Sequence, residues 1–338
     1  MLYIGLDAHS ETCELTAVNE KGNIVMSRSF DTSEKNIIEC LSQIKGKKTL
    51  TFEEGPLASW LSDFITPCVD KVIVSDPKRN RWIGSSEKKD DKIDAAKLAN
   101  LLRGGYVHAV YHPEEGRRGF KEIVLFYHDI TGLIVSVKNK IKAEYRQNGV
   151  FSKSRGVYSP FERTGWLSKL ARAEAVFQVN NYCALLDRLC AIQRRALAKM
   201  VRMSRRYPEC ALFEQIPGVG PITSATVSAI LVTPHRFQSK REVWAYAGLA
   251  VVGRHSGNKA GPEHLNCFFN RILKRVVKSA ALEAISQGKN PFAKKFHNLL
   301  SQGVAESSAR LTIARNMLAV MYGMWKTNTD FDPGRVSA

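Results

Sequence analysis

Apolar and polar residues alternate with a period of two over Tyr3-Ile4-Gly5-Leu6-Asp7, over residues 12–18, and again over 24–30 after a turn at Asn19-Glu20-Lys21-Gly22-Asn23. Such alternation presents one apolar face to a core, so a meander of three strands is predicted. The pattern then changes. Asp31, Thr32 or Ser33 can cap a helix whose apolar face is Ile37, Ile38 and Leu41, and Thr49–Phe52 and Lys71–Val74 read as two more strands separated by a helix around Ala58–Ile65. A meander followed by strands alternating with helices predicts an α/β sheet of the ribonuclease H type, a spacing that other α/β folds share. An amphipathic helix over Asp91–Arg103 follows, stopped by Gly104-Gly105.

Beyond residue 110 the period becomes that of a helix. Ile123, Tyr127, Ile130, Ile134, Val137, Ile141 and Tyr145 step by three or four, and a second run from about Ala171 to Met203 passes through Val179, Tyr182, Leu186, Leu189 and Ala196. Two long helices of this kind pair as an antiparallel hairpin or coiled coil, or equally as part of a bundle core. A third, mostly helical block covers 208–326, ending in an apolar helix over about Ser307–Trp325. It opens on Ile216-Pro217-Gly218-Val219-Gly220-Pro221-Ile222-Thr223-Ser224-Ala225, which reads as a helix-hairpin-helix-like turn. Such a turn can offer backbone N–H groups to a DNA phosphate, though two glycines also serve purely steric needs. Three domains are expected: residues 1–110, 111–207 and 208–330.

Charge sharpens this picture. The chain carries +18, yet residues 1–110 are nearly neutral at −1 and the rest holds about +19. A basic body behind a neutral head suits binding along phosphate backbones. The cations Lys138, Lys140, Lys142 and Arg146, and the run Arg194, Arg195, Lys199, Arg202, Arg205 and Arg206, lie on the long helices, as phosphate-binding or simply solvated faces. The seven cysteines show neither a C-x-x-C pair nor matched histidine spacing, which argues against disulfides and zinc. The N-terminus is strand-like without a signal-peptide pattern, and no stretch reaches 18 uninterrupted apolar residues. The expectation is a reduced, soluble, cytoplasmic protein with no membrane partner.

Carboxylates supply the candidate chemistry. Asp7 closes the first strand, and Glu53 and Glu54 close the fourth in Leu50-Thr51-Phe52-Glu53-Glu54-Gly55-Pro56. Asp91 and Asp94 are three residues apart near a helix start, on one face. Taken singly, each has an ordinary role as a turn or cap residue. Taken together, two strand ends and a helix can converge on hard cations about 4 Å apart, as phosphodiester chemistry by two magnesium ions requires.

These residues resemble the DEDD transposases of one group of insertion sequences, a family that includes the pilin-gene invertase Piv. The resemblance is carried by Tyr3–Asp7, by Phe52-Glu53-Glu54-Gly55-Pro56, and by Lys89-Asp90-Asp91-Lys92-Ile93-Asp94-Ala95-Ala96-Lys97-Leu98-Ala99. In the last block it is carried by Ile216–Ala225, Phe237, Tyr246-Ala247-Gly248-Leu249 and Ser256-Gly257. It implies a RuvC-like catalytic domain with a magnesium-binding tetrad of Asp7, Glu53, Asp91 and Asp94, flanked by Glu54 and Asp90. It also implies a transposase or site-specific recombinase assisted by a guide (bridge) RNA and working as dimers that assemble into tetramers. A site-specific invertase, or a domesticated nucleic-acid-binding protein, are the alternatives. Gly218, Gly220, Arg271, Lys274 and Arg275 are the candidate DNA contacts.

The family's serine nucleophile lies in a Ser-Lys-x-Gly-Asn stretch before Leu-Arg-Arg. An ungapped count from Ser256-Gly257 to Leu273-Lys274-Arg275 puts Asn266 at the serine position and Cys267 beside it. Cys267 is the candidate nucleophile, its thiolate favoured by nearby cations. Ser256 is the alternative, and loss of covalent chemistry is the third reading.

Overall fold

Period-two alternation yields strands here because each has an apolar face to bury on helices and a second face that is largely polar. The computed structural model describes residues 1–338 other than 78–90, 112–114, 153, 253–254, 257–258, 261–263, 267 and 338. Five strands, β1 (Leu2–Ala8), β2 (Thr12–Val18), β3 (Ile24–Asp31), β4 (Lys48–Glu53) and β5 (Lys71–Ser75), form one sheet in the order β3-β2-β1-β4-β5. The first three pair antiparallel, whereas β4 and β5 run parallel to β1. Helices α1 (Glu34–Gln43) and α2 (Ala58–Ile65) provide the crossovers, and Ser33 caps α1 by accepting from the Asn36 N–H at 3.2 Å. The predicted strands and helices of this part are all present.

The two sheet faces differ in chemistry. Ile4, Leu6, Leu15, Ala17, Leu50, Phe52 and Val74 share a buried core with Ile37, Leu41, Leu61 and Ile65 of α1 and α2. Helix α3 (Asp91–Arg103) lies on the opposite face. It can do so because position 5 is glycine: a Cβ there would fall 2.6 Å from the Ala99 amide nitrogen and against the Ala95 carbonyl oxygen. Contact this close requires the absence of a side chain. Residues 1–112 form one compact unit and 113–338 a second.

The second unit begins with α4 (Glu115–Gln147), continues through the short α5 (Arg163–Leu167) and returns along α6 (Ala173–Ser204). Ile130, Ile134, Val137 and Ile141 of α4 pack with Val179, Cys183, Leu186 and Leu189 of α6. Phe120 and Val124 near the start of α4 meet Ala196 and Met200 near the end of α6, so the two helices run antiparallel. Then come α7 (Pro208–Glu214), α8 (Pro221–Leu231), α9 (Lys240–Tyr246), two short strand pairs, β6 (Val251–Val252) with β9 (His264–Leu265) and β7 (His255–Ser256) with β8 (Lys259–Ala260), then α10 (Arg271–Gln287), α11 (Pro291–Ser301), α12 (Glu306–Thr327) and α13 (Gly334–Ser337). Ala225 and Ala229 of α8 join the core of α4 and α6, and Tyr207 stacks on Phe120 at 4.6 Å. The chain therefore keeps packing continuously across the expected 207/208 boundary.

Two buried polar nodes stitch this unit together. Arg117 of α4 meets Glu209 of α7 at 2.9 Å, and the Ser228 hydroxyl of α8 donates to the same carboxylate oxygen at 2.5 Å. Near it, His128 of α4 is 5% exposed and lies between Arg275 of α10 and Thr226 of α8. Such groups are tolerated inside because their partners are in place. Among the described residues no helix is long and apolar enough to cross a membrane.

Candidate carboxylate site and nucleic-acid surfaces

The sheet register decides which side chains meet. Gly5 faces α3, so Asp7, two residues on, faces it as well. Glu14 stands directly opposite Asp7 on β2. On the other side Leu6 pairs with Phe52, which brings Glu53 level with Asp7 on the same face, and Glu53 in turn pairs with Ser75 of β5. Asp94 enters from α3, one turn into the helix that Gly5 admits. The α/β framework thus places Asp7, Glu53 and Asp94 around one end of the sheet.

Electrostatics records their proximity. The Glu53 carboxyl is held above its usual range, first by partial burial and then by the negative charges of Asp7, Asp94 and Asp76. Basic side chains of the described residues meet these carboxylates: His9 Nε2 lies 3.3 Å from Asp7 Oδ2, and Lys97 Nζ lies 2.8 Å from Asp94 Oδ1. Among the described residues no group of three His, Cys, Asp or Glu side chains is drawn tightly enough to enclose a metal ion. The donor set nevertheless fits a hard divalent cation, since it offers carboxylate oxygens and its negative charges raise the Glu53 pKa, which a divalent cation would relieve. Asp91 opens α3, and its side chain lies outside the described residues, as does Asp90.

Asp76 was missed in the sequence reading. It follows β5, its amide donates to the His108 carbonyl at 2.9 Å, and its charge acts on Glu53. The signal was available: a carboxylate at a strand end just before Pro77, the same criterion that singled out Glu53.

In the helical unit, Gly218 adopts φ +83° and approaches α10 so closely that a Cβ would lie 2.6 Å from the Ala284 nitrogen. Its glycine therefore has a packing cause. Gly220 is the N-cap of α8, with no side-chain cap. Arg271 is exposed at the first position of α10, where Asn270 supplies the cap, accepting from the Leu273 N–H at 2.9 Å. Lys274 lies 4.1 Å above the Phe269 ring, and Arg275 donates to His128 Nδ1 at 3.2 Å, so both cations also serve the unit's own packing. The Asn266 amide nitrogen donates to the Ala245 carbonyl at 3.2 Å, while its oxygen accepts from the Phe268 N–H at 3.1 Å. That side chain is a backbone brace. Cys267 lies outside the described residues; Ser256 pairs with Lys259 through β7 and β8, and its side chain is likewise outside them.

Along α6, Arg194, Arg195, Lys199 and Arg202 are exposed, on the side away from buried Ala196, Met200 and Ser204, and Arg205 and Arg206 are exposed in the turn just past its end. Arg195, Lys199 and Arg202 follow the spacing of a single helix face.

A mixed five-stranded sheet with carboxylates at one end, followed by a mostly helical region, defines a class: it is consistent with a ribonuclease H-like DEDD domain joined to a helical partner. Comparison with known proteins narrows this. Residues 4–147 match the model described as a transposase of the DEDD type of IS110. Residues 210–298 match the transposase IS116/IS110/IS902 family. The chain belongs to this family of insertion-sequence transposases. It is 27% identical over 154 residues to an uncharacterized 44.8 kDa protein of insertion element IS116 from Streptomyces clavuligerus, covering 45% of this chain and 38% of that one. An uncharacterized 43.6 kDa protein of insertion element IS110 from Streptomyces coelicolor is 27% identical over 142 residues, 41% of this chain and 35% of its own length. These two alignments span little more than a third of either relative. A transposase for insertion sequence element IS1111A from Coxiella burnetii is 21% identical over 300 residues, 86% of this chain and 80% of that one.

Proposed function

We propose that this chain cuts and rejoins DNA strands as a metal-dependent transposase or site-specific recombinase, using Asp7, Glu53, Asp91 and Asp94 to hold magnesium. The observation that carries the reading is the sheet register: Asp7 and Glu53 stand level on adjacent parallel strands, and Asp94 reaches them from a helix seated on Gly5. When bound, divalent cations supply Lewis acidity at the scissile phosphate and its leaving oxygen. The chain's own part is to fix the carboxylates on rigid strand ends and to hold them against His9 and Lys97 until cations and DNA displace those contacts.

The covalent step is assigned to Cys267, with Ser256 as the competing nucleophile. Asn266 is excluded by its chemistry and is tied to the backbone at both ends of its amide. The cationic face of α6 and the basic residues at the start of α10 bind DNA and a guide RNA, and the α4/α6 pair serves a homo-oligomer.

The test uses the DNA and RNA that flank the gene. With magnesium, the wild-type protein is expected to cleave and to form a trapped protein–DNA adduct. Asp7→Asn and Glu53→Gln lose cleavage while keeping DNA binding, and Cys267→Ala loses the adduct. An adduct that survives in Cys267→Ala and disappears in Ser256→Ala moves the nucleophile to Ser256. A complex that assembles and never cuts identifies a binder and overturns the enzymatic reading.

A further inference from the structure

Across the end of the sheet runs a row of four polar side chains on the face that receives α3: Glu14 of β2, Asp7 of β1, Glu53 of β4 and Ser75 of β5. The two inner members are the carboxylates already assigned. The outer two are unusual for a different reason. Glu14 is only 8% exposed and its Oε2 has no hydrogen-bond partner among the described residues, and Ser75 is fully buried with its Oγ equally unpaired among them. A buried carboxylate oxygen without a partner is costly, because it has given up water and received nothing in return. A cation brought to that oxygen would supply the missing partner. Among the described residues, His9 pairs with Asp7 and Lys97 with Asp94.

Register fixes what Glu14 is aimed at. Residues directly opposite on antiparallel strands carry their side chains on the same face, about 5 Å apart at Cβ. Glu14 therefore projects beside Asp7, on the face that Gly5 opens to α3. We propose that Glu14 is a further ligand of the divalent-cation site, bringing its unpaired oxygen from β2 to the ion held by Asp7. The inference rests on the metal-dependent reading above.

The experiment is a Mn2+ titration of the full-length chain, read by the electron paramagnetic resonance of free Mn2+ and by the shift in melting temperature. It compares wild type, Glu14→Gln, Glu14→Asp and Glu53→Gln. Glu14→Gln is expected to keep its metal-free fold by circular dichroism, to bind Mn2+ at least about tenfold more weakly, and to lose most of the thermal shift. Glu14→Asp, which keeps the charge and withdraws the oxygen by one methylene, is expected to fall between; if Glu14→Gln does not fold, Glu14→Asp decides. Wild-type affinity in the Glu14 variants together with weakened binding in Glu53→Gln overturns this proposal alone. Failure of the wild type to bind Mn2+ overturns both this proposal and the reading beneath it.

Discussion

At position 5 a single methyl group separates a seated helix from a displaced one. Alanine there would press on the Ala95 carbonyl and the Ala99 amide, both backbone groups of α3 that cannot swing aside. Gly5→Ala is expected to lower the stability of the first unit by about 3 kcal/mol, measured by urea denaturation, since overpacking against backbone is hard to relax. His128 offers a second test at this scale. Arg275 can only donate, so His128 Nδ1 accepts and Nε2–H donates to Thr226 Oγ1 at 2.9 Å, while that hydroxyl donates to the Ile222 carbonyl. Burial and then the Arg275 charge push the His128 pKa down to about 4. Because the unfolded chain takes up this proton near pH 6.5 and the folded chain does not, stability falls as pH drops from about 6.5 towards 4. The loss is roughly 3 kcal/mol, and denaturation curves at pH 7 and 4.5 should show it reduced in His128→Asn.

Among the elements, α6 carries the clearest division of labour, with apolar residues packed on α4 and α8 and the exposed cations Arg194, Arg195, Lys199 and Arg202 on another side, continued by Arg205 and Arg206 past its end. Replacing Arg195, Lys199, Arg202 and Arg206 with alanine is expected to weaken nucleic-acid binding. The slope of log affinity against log salt should fall by about 0.9 for each lost duplex phosphate contact, measured by anisotropy titrations at several salt concentrations. Unchanged slopes would make this a solvated face. The α4 and α6 periodicities were legible because each stripe repeats over many turns. The partner of α3 was not legible, because its moderately apolar face could have met any sheet; only Gly5 and the register show which strands it covers.

For the whole molecule, a nearly neutral α/β unit and a strongly basic helical unit each enclose their own core. Calorimetry is expected to resolve two unfolding transitions, with Mg2+ raising only that of the first unit, because only the state that holds the ion gains from it. A single transition unaffected by Mg2+ would contradict this. The sequence by itself determined the strands, the long helices, the charge asymmetry and the strand-end carboxylates, since periodicity, composition and breaks in the chain are local properties. It also carried the family resemblance, through short motifs in order. Only the tertiary structure decided that Asp7 stands level with Glu53 and Glu14, that Asp76 acts on the same group, that Asn266 braces a turn, and that Gly5 and Gly218 are contact points for helices. Those facts depend on register and on close approach between segments distant in the chain, which no local pattern encodes.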